Sequence, residues 1–431
     1  MRRALIALFL FLGGATALAD SKLQKEEKQD LPKIAAGWVE LGRWCVSKNL
    51  TPQARRCADQ AASAEPGSAD VQALVASISS GEPATDEKDV KEYSKKLQAL
   101  GKKIGPLYDH IVAAGTGEID AATVARVDGW FLAALEVDPE PKRWEKVVSF
   151  LDESKDRARA QRLAESALAL KPPEKVAARL RGTIDAAAIQ GVVLKSATTH
   201  SMRYWFSLPP GYERKPGKKW PVLVAIDGSG SFFEEGAKGW RDNRGKSDFI
   251  IVSPCTFSNA GHGFGDGEGK AKYRKWYTDA VIEEGSKKRL EFDEAGILAV
   301  LKDLQRDYDA EGRFYLHGFS AGGNVTYTFI WKHPELLNGA APCCTGGPSY
   351  PDEAAKKAAA ERDFPIWIVT GEKDAGPIPG SQAMAETLTK AGYPNAKHTT
   401  IPGMGHSNAM VQVAAFFKPY MDGSKKRTDK Q

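Results

Sequence analysis

The sequence predicts an α/β protein, a mostly parallel sheet with helices on both faces, preceded by an all-helical domain. Three observations carry that prediction. Short apolar runs bounded by Gly, Pro or Ser recur at 192–194, 204–208, 222–226, 249–252, 314–316 and 366–369. Runs without polar alternation read as strands buried on both faces. Between them lie helical patterns, 292–308 and 382–391, and strands alternating with helices indicate a parallel sheet covered on both sides. From 20 to 188, in contrast, the chain is rich in Ala, Lys and Glu. Apolar residues there recur at three and four, as in Trp38, Leu41 and Cys45, or Leu163, Ala167 and Leu168, the spacing of amphipathic helices.

A chain of 431 residues is long for one domain, so two folded units with short tails are expected. The reading is a signal peptide at 1–19, the helical domain at 20–188, the α/β domain at 189–420 and a flexible tail at 421–431. Arg2 and Arg3 open the leader, 4–12 are apolar, and Ala17-Leu18-Ala19 is a small-residue cleavage site. The apolar run is shorter than the roughly 20 residues a bilayer needs. No later run is long enough, so no membrane span is expected, and the mature chain is expected in a periplasm or secreted. The formal charge of +5 falls once Arg2 and Arg3 are removed. With no basic stripe interleaved with aromatics, nucleic acid is not an expected partner.

Within the helical part, 54–72 and 158–177 look alike: an Ala-rich helix, a Pro-containing turn and a second helix start. They resemble tetratricopeptide-type helical pairs, although the matching positions are mostly Ala. The resemblance leaves open a protein partner at this domain or a generic helical layer.

The segment 314–327, FYLHGFSAGGNVTY, is the most informative. Gly318-Phe319-Ser320-Ala321-Gly322 follows an apolar strand directly and precedes a helix. A serine at so tight a turn needs small neighbours two residues away, and Gly318 and Gly322 meet that need. The helix N-terminus then aims its dipole and free N–H groups, that of Ala321 among them, at an oxygen becoming negative. A serine hydroxyl also needs a base, held by a third group. Downstream, PIWIVTGEKD is a strand, a glycine turn and Asp374; TIPGMGHS is a short strand and a Gly-rich loop with His406. The order Ser, acid, His suits a serine on a strand–turn–helix elbow. Glu372 is the nearest rival carboxylate. Among the other histidines, His110 lies in the helical region, and His200 and His262 precede the serine. His317 sits in the serine's own strand and is expected in the core, His333 ends a helix, and His398 has no Gly-rich loop to free it.

The second oxyanion donor is expected after the third strand, in VLVAIDGSG, from the N–H of Ser229 or else of Gly228. With LHGFSAGG, PIWIVTGEKD and GYPNAKHTTIPGMGHS on the page, the chain from about 191 to 418 resembles α/β-hydrolase esterases. It is most similar to the group of polyhydroxybutyrate depolymerases, feruloyl and acetyl esterases and dienelactone-hydrolase-like enzymes. The resemblance implies the α/β-hydrolase fold, a Ser-His-Asp triad, an acyl-enzyme intermediate, and a small-molecule or polymeric ester as substrate. It implies neither metal nor organic cofactor. One departure stands out: many relatives have His-Gly where this chain has Asp227-Gly228, so Asp227 is expected to turn away and bond backbone. An exported serine peptidase on the same fold, and a non-catalytic binding protein using the helical domain, are the alternatives.

Alternating glycines at 259–277 suggest a flap whose aromatic end lines a pocket, or a surface insertion. Its Asp266 and Glu268 match no calcium loop. Of the five cysteines, Cys45 and Cys57 are the better candidate pair. Cys255 and Cys343 are separated by too many strands to bridge, and Cys343-Cys344 read as two buried thiols.

Overall fold

The computed structural model describes residues 2–78, 86–115, 121–154, 156–215, 217–230, 232–244, 247–260 and 271–428. Side chains are described from Lys22 onward, those of 121, 122 and 260 excepted. The chain divides into two units, Met1–Ile184 and Asp185–Gln431.

The described residues of the first unit are helices and their turns: α1 (Arg2–Ser47), α2 (Thr51–Ala64), α3 (Ala69–Ser77), α4 (Glu87–Ala114), α5 (Ala121–Val137), α6 (Pro141–Glu153) and α7 (Arg157–Ala169), then α8 (Glu174–Gln190), within which the division falls. Both Ala-rich stretches are helix–turn–helix, as α2–α3 and α7–α8. Small residues on one face allow close approach, and Ala54, Ala58 and Ala61 of α2 are buried. Asp156 caps α7 by accepting from the Arg159 N–H at 3.0 Å, and Lys171, at φ 54°, turns the chain after it. Trp38, Ile104 and Tyr108 form the centre of one core, where the Trp38 indole donates to the Tyr108 hydroxyl at 3.3 Å. Buried Arg143 is answered by Asp109 at 3.0 Å and by Asp138. Cys45 and Cys57 are buried, adjacent and unbridged, in place of the expected pair. Among the described residues no helix is long and apolar enough to cross a membrane.

The second unit is built on eight strands: β1 (Val193–Ser196), β2 (Arg203–Ser207), β3 (Val222–Ile226), β4 (Ile250–Pro254), β5 (Phe314–Phe319), β6 (Leu337–Cys343), β7 (Ile366–Gly371) and β8 (Ala396–Ile401). Their order is β1-β2-β4-β3-β5-β6-β7-β8; β2 runs antiparallel to β1 and β4, and every other pair is parallel. This is the α/β-hydrolase fold.

The alternation of a strand splits its residues between two cores. Val222, Val224 and Ile226 of β3 face one core with Val325 and Leu301; Leu223 and Ala225 face the other with Trp240, Val413 and Phe417. Helices α9 (Phe233–Arg244) and α15 (Met410–Met421) therefore cover one face. The other carries α11 (Arg289–Asp307), which follows α10 (Asp279–Lys287), with α12 (Gly322–Lys332) and α14 (Pro377–Lys390); the short α13 (Pro351–Ala355) adds Ala354 to this core. β3 and β4 are buried throughout, which is why they read as unbroken apolar runs. Beyond α15, the Arg427 guanidinium donates to the carbonyls of Leu337, Ala360 and Glu361 at 2.7–2.9 Å.

Residues 261–270 of the glycine-rich segment, including His262, Asp266 and Glu268, lie outside the described residues. The aromatic end of that segment is core rather than pocket lining. Tyr273 stacks on Phe257 at 5.0 Å, and the Tyr273 and Tyr277 hydroxyls donate to the carbonyls of Thr256 and Cys255.

Candidate active site

Parallel strands end on one edge of a sheet, and the loops leaving that edge meet. Ser320 follows β5, Asp374 follows β7, His406 follows β8, and 227–230 follow β3. At Ser320 the backbone is left-handed, φ 50°, a conformation that a non-glycine residue holds only where its surroundings enforce it. The glycines supply that enforcement. A Cβ on Gly322 would stand 2.5 Å from the Asp227 carbonyl oxygen and 2.7 Å from that of Ile226; one on Gly318 would overlap Gly322 and Thr326. The turn closes with the Gly323 N–H donating to the Ser320 carbonyl at 3.0 Å.

His406 Nδ1 lies 2.6 Å from Asp374 Oδ2, and its Nε2 lies 3.0 Å from Ser320 Oγ. A carboxylate only accepts, so Nδ1 carries the proton and Nε2 is free to take one from the serine hydroxyl. Asp374 is largely buried and His406 about half exposed. The rival Glu372 is occupied elsewhere: its Oε2 accepts from the Gly403 N–H at 2.8 Å and holds the turn that precedes His406. His317 is buried, His333 bonds Glu294 at 2.7 Å, and His398 bonds Thr370 Oγ1 at 2.8 Å.

In the loop after β3, where the sequence suggests an oxyanion donor, the Gly228 N–H donates to Asp227 Oδ1 at 3.3 Å, which leaves the Ser229 N–H. Neither Ser229 nor Ala321 donates its N–H to a protein acceptor among the described residues. Both line one cleft of about 650 Å³ with Ser320.

Three residues with no sequence signal for this edge lie beside it. Asn259 clamps the loop after β3: its amide donates to the carbonyls of Asp227 and Gly228, and its Oδ1 accepts from Thr256 at 2.5 Å. Asn408, two residues past His406, has its side-chain amide 2.8 Å from His317 Nε2 and hydrogen-bonds the Asp227 carboxylate. Cys344 lies with its Sγ within 4.8 Å of the Asp374 and His406 donor atoms. Asp227 bonds backbone at the Gly228 N–H, as well as Asn408. Burial raises its carboxyl to about 6, the Gly228 and Asn408 hydrogen bonds working against that rise. Burial lowers His317 to about 4, opposed by its bonds to Asn408 and the Ala341 carbonyl. Asp293, fully buried, is raised to about 7 by desolvation, although the Phe257 and Ser258 N–H groups donate to it at 2.8 Å.

Residues 195–376 match the model of the Esterase family, described as "Putative esterase". No curated protein sequence matches the chain. Among solved structures, a thermostable esterase is 18% identical, over 53% of this chain and 61% of its own, TM-score 0.36. The chain thus spans about three fifths of that relative's length. Est1E from Butyrivibrio proteoclasticus is 16% identical over 54% and 98%, TM-score 0.35. A ferulic acid esterase is 17% identical over 53% and 97%, TM-score 0.36.

Proposed function

We propose that the chain is an exported serine carboxylic ester hydrolase. The observation that carries this reading is the unbroken line from Asp374 through His406 to Ser320 Oγ, with contacts of 2.6 and 3.0 Å at the carboxyl edge of the sheet. His406 takes the Ser320 proton as Oγ attacks the ester carbonyl. The Ser229 and Ala321 N–H groups hold the oxyanion, and Asp374 steadies the imidazolium. Collapse of the tetrahedral adduct breaks the bond to the alcohol oxygen, which takes the proton from His406. Water then attacks the acyl-enzyme through the same base and releases the acid. Every step uses this chain's own groups.

Export rests on the 1–19 leader, and cleavage after Ala19, read by N-terminal sequencing of the mature protein, checks it. For the chemistry, purified protein is assayed on p-nitrophenyl acetate and butyrate beside Ser320→Ala. Turnover by the wild type, a loss of about 10³-fold or more in the variant, and labelling of Ser320 by a fluorophosphonate support the reading. Equal rates in the two proteins sink it.

A further inference from the structure

One wall of the cleft is the junction of α10 and α11, where Lys287, Lys288 and Arg289 line the same space as Ser320. Three consecutive cations face it against one lining carboxylate, Glu291. Their partners differ. Lys287 pairs with Glu283 at 3.1 Å, both exposed, and Arg289 feels buried Asp293. Lys288 has no carboxylate partner among the described residues and is exposed. Lys288 stands between the last turn of α10 and the first turn of α11, so opposite ends of two helix dipoles meet there and the positive charge of this wall is that of its side chains.

Resting on the ester-hydrolase reading, we propose that this wall is a subsite for an anionic group. The substrate is then an ester carrying a carboxylate, held by Lys288 and its two cationic neighbours while its carbonyl lies at Ser320. A cleft between focused positive charge and a nucleophile concentrates anions ahead of reaction. An attraction of this exposed kind weakens as salt rises.

The test compares matched esters: p-nitrophenyl hexanoate with p-nitrophenyl hemiadipate for an acyl-side carboxylate, and methyl 3-acetoxybenzoate with 3-acetoxybenzoate for an alcohol-side one. The readout is the anionic-to-neutral ratio of kcat/KM. The ratio is expected above one for at least one pair. It should fall about fivefold or more in Lys288→Glu and shrink in the wild type between 0.05 and 0.5 M salt (assay conditions, roughly a threefold change in screening length). Lys302→Glu, the same charge change on the exposed side of α11, should leave the ratio alone. A ratio at or below one for both pairs, or equal falls in both variants, overturns the subsite while leaving ester hydrolysis standing. If none of the four esters is hydrolysed, and p-nitrophenyl acetate and butyrate are not either, the ester reading itself fails. Monomethyl adipate titrated calorimetrically into Ser320→Ala then decides the subsite alone: salt-sensitive binding lost in Ser320→Ala/Lys288→Glu supports it, and no binding overturns it.

Discussion

The two walls of the cleft are made in opposite ways. On the Ser320 side the backbone does the work: a left-handed serine, two glycines with no room for a Cβ, and N–H groups fixed by strand ends. On the α10–α11 side, flexible charged side chains reach in from solvent. Rigid geometry suits the part that must match a transition state, because a misplaced donor or base loses rate on any substrate. Flexible charge suits recognition, which needs attraction and tolerates slack. Substitutions on the first wall should therefore lower kcat for every ester, and those on the second should change preference.

The largest effect expected on the rigid wall, after loss of the serine itself, comes from Asp374→Asn. It keeps the shape but leaves an amide where His406 Nδ1 needs an acceptor, and kcat should fall by about 10³- to 10⁴-fold. Glu372→Gln, whose partner is the Gly403 N–H, should cost far less. Equal losses in a p-nitrophenyl butyrate assay would mean the acid of the triad is misassigned. Next is Gly322→Ala, which drives a methyl to 2.5 Å from the Asp227 carbonyl. By moving the β3 loop against the elbow, it should cost about 10²-fold in kcat, with KM little changed. A folded variant of unaltered kcat would show that the turn yields more than its packing implies.

Smaller again is Asn408→Ala. It removes the one amide that joins His317 on the nucleophile strand to Asp227 on the oxyanion loop, touching neither substrate nor triad. A loss of up to about tenfold in kcat is expected, in line with the modest worth of a hydrogen bond acting at one remove. Asn408→Asp, which keeps the shape but has no amide N–H, should recover little of it. Full recovery would show that the amide N–H is not what matters.

These supports were the least legible part of the molecule from sequence. The elbow, Asp374 and His406 stand out in the sequence because glycine spacing and strand endings are local signals, and the structure brings the three side chains together. The sheet could be found because β3, β4, β5 and β7 are buried on both faces and carry no polar alternation. Asn259 and Asn408 act across 32 and 91 residues, and an asparagine in a loop is ordinary until its partner is known. Tyr273 and Tyr277 misled for a related reason. Aromatic residues after a glycine-rich stretch suit a pocket as well as a core, and only their contacts with Phe257 decide. Cys344 gave no sign of its place beside Asp374, because that closeness depends on β6 and β7 being neighbours.

The last comparison, read in stability rather than rate, sets half-buried Asp227 against buried His317. Asp227, raised to about 6, binds its proton more tightly folded than unfolded. Its contribution is complete below about pH 4, the ordinary carboxylate range, and is lost as pH climbs through 6. His317, lowered to about 4, does the reverse. Its neutral folded form is favoured above the ordinary imidazole value of about 6.5, and that stability disappears as pH falls toward 4. Between about pH 4 and 6 the two slopes oppose and partly cancel. Glu235 adds a minor push in the Asp227 direction. Asp227→Asn should unmask the histidine. Its unfolding free energy, from urea titrations at half-unit steps between pH 4 and 7, should rise more steeply with pH than the wild type's. At pH 7 it should gain on the order of 2 kcal/mol. Parallel curves for the two proteins would mean that Asp227 stays ionised throughout this range, and that Asn408 and the Gly228 N–H outweigh its burial.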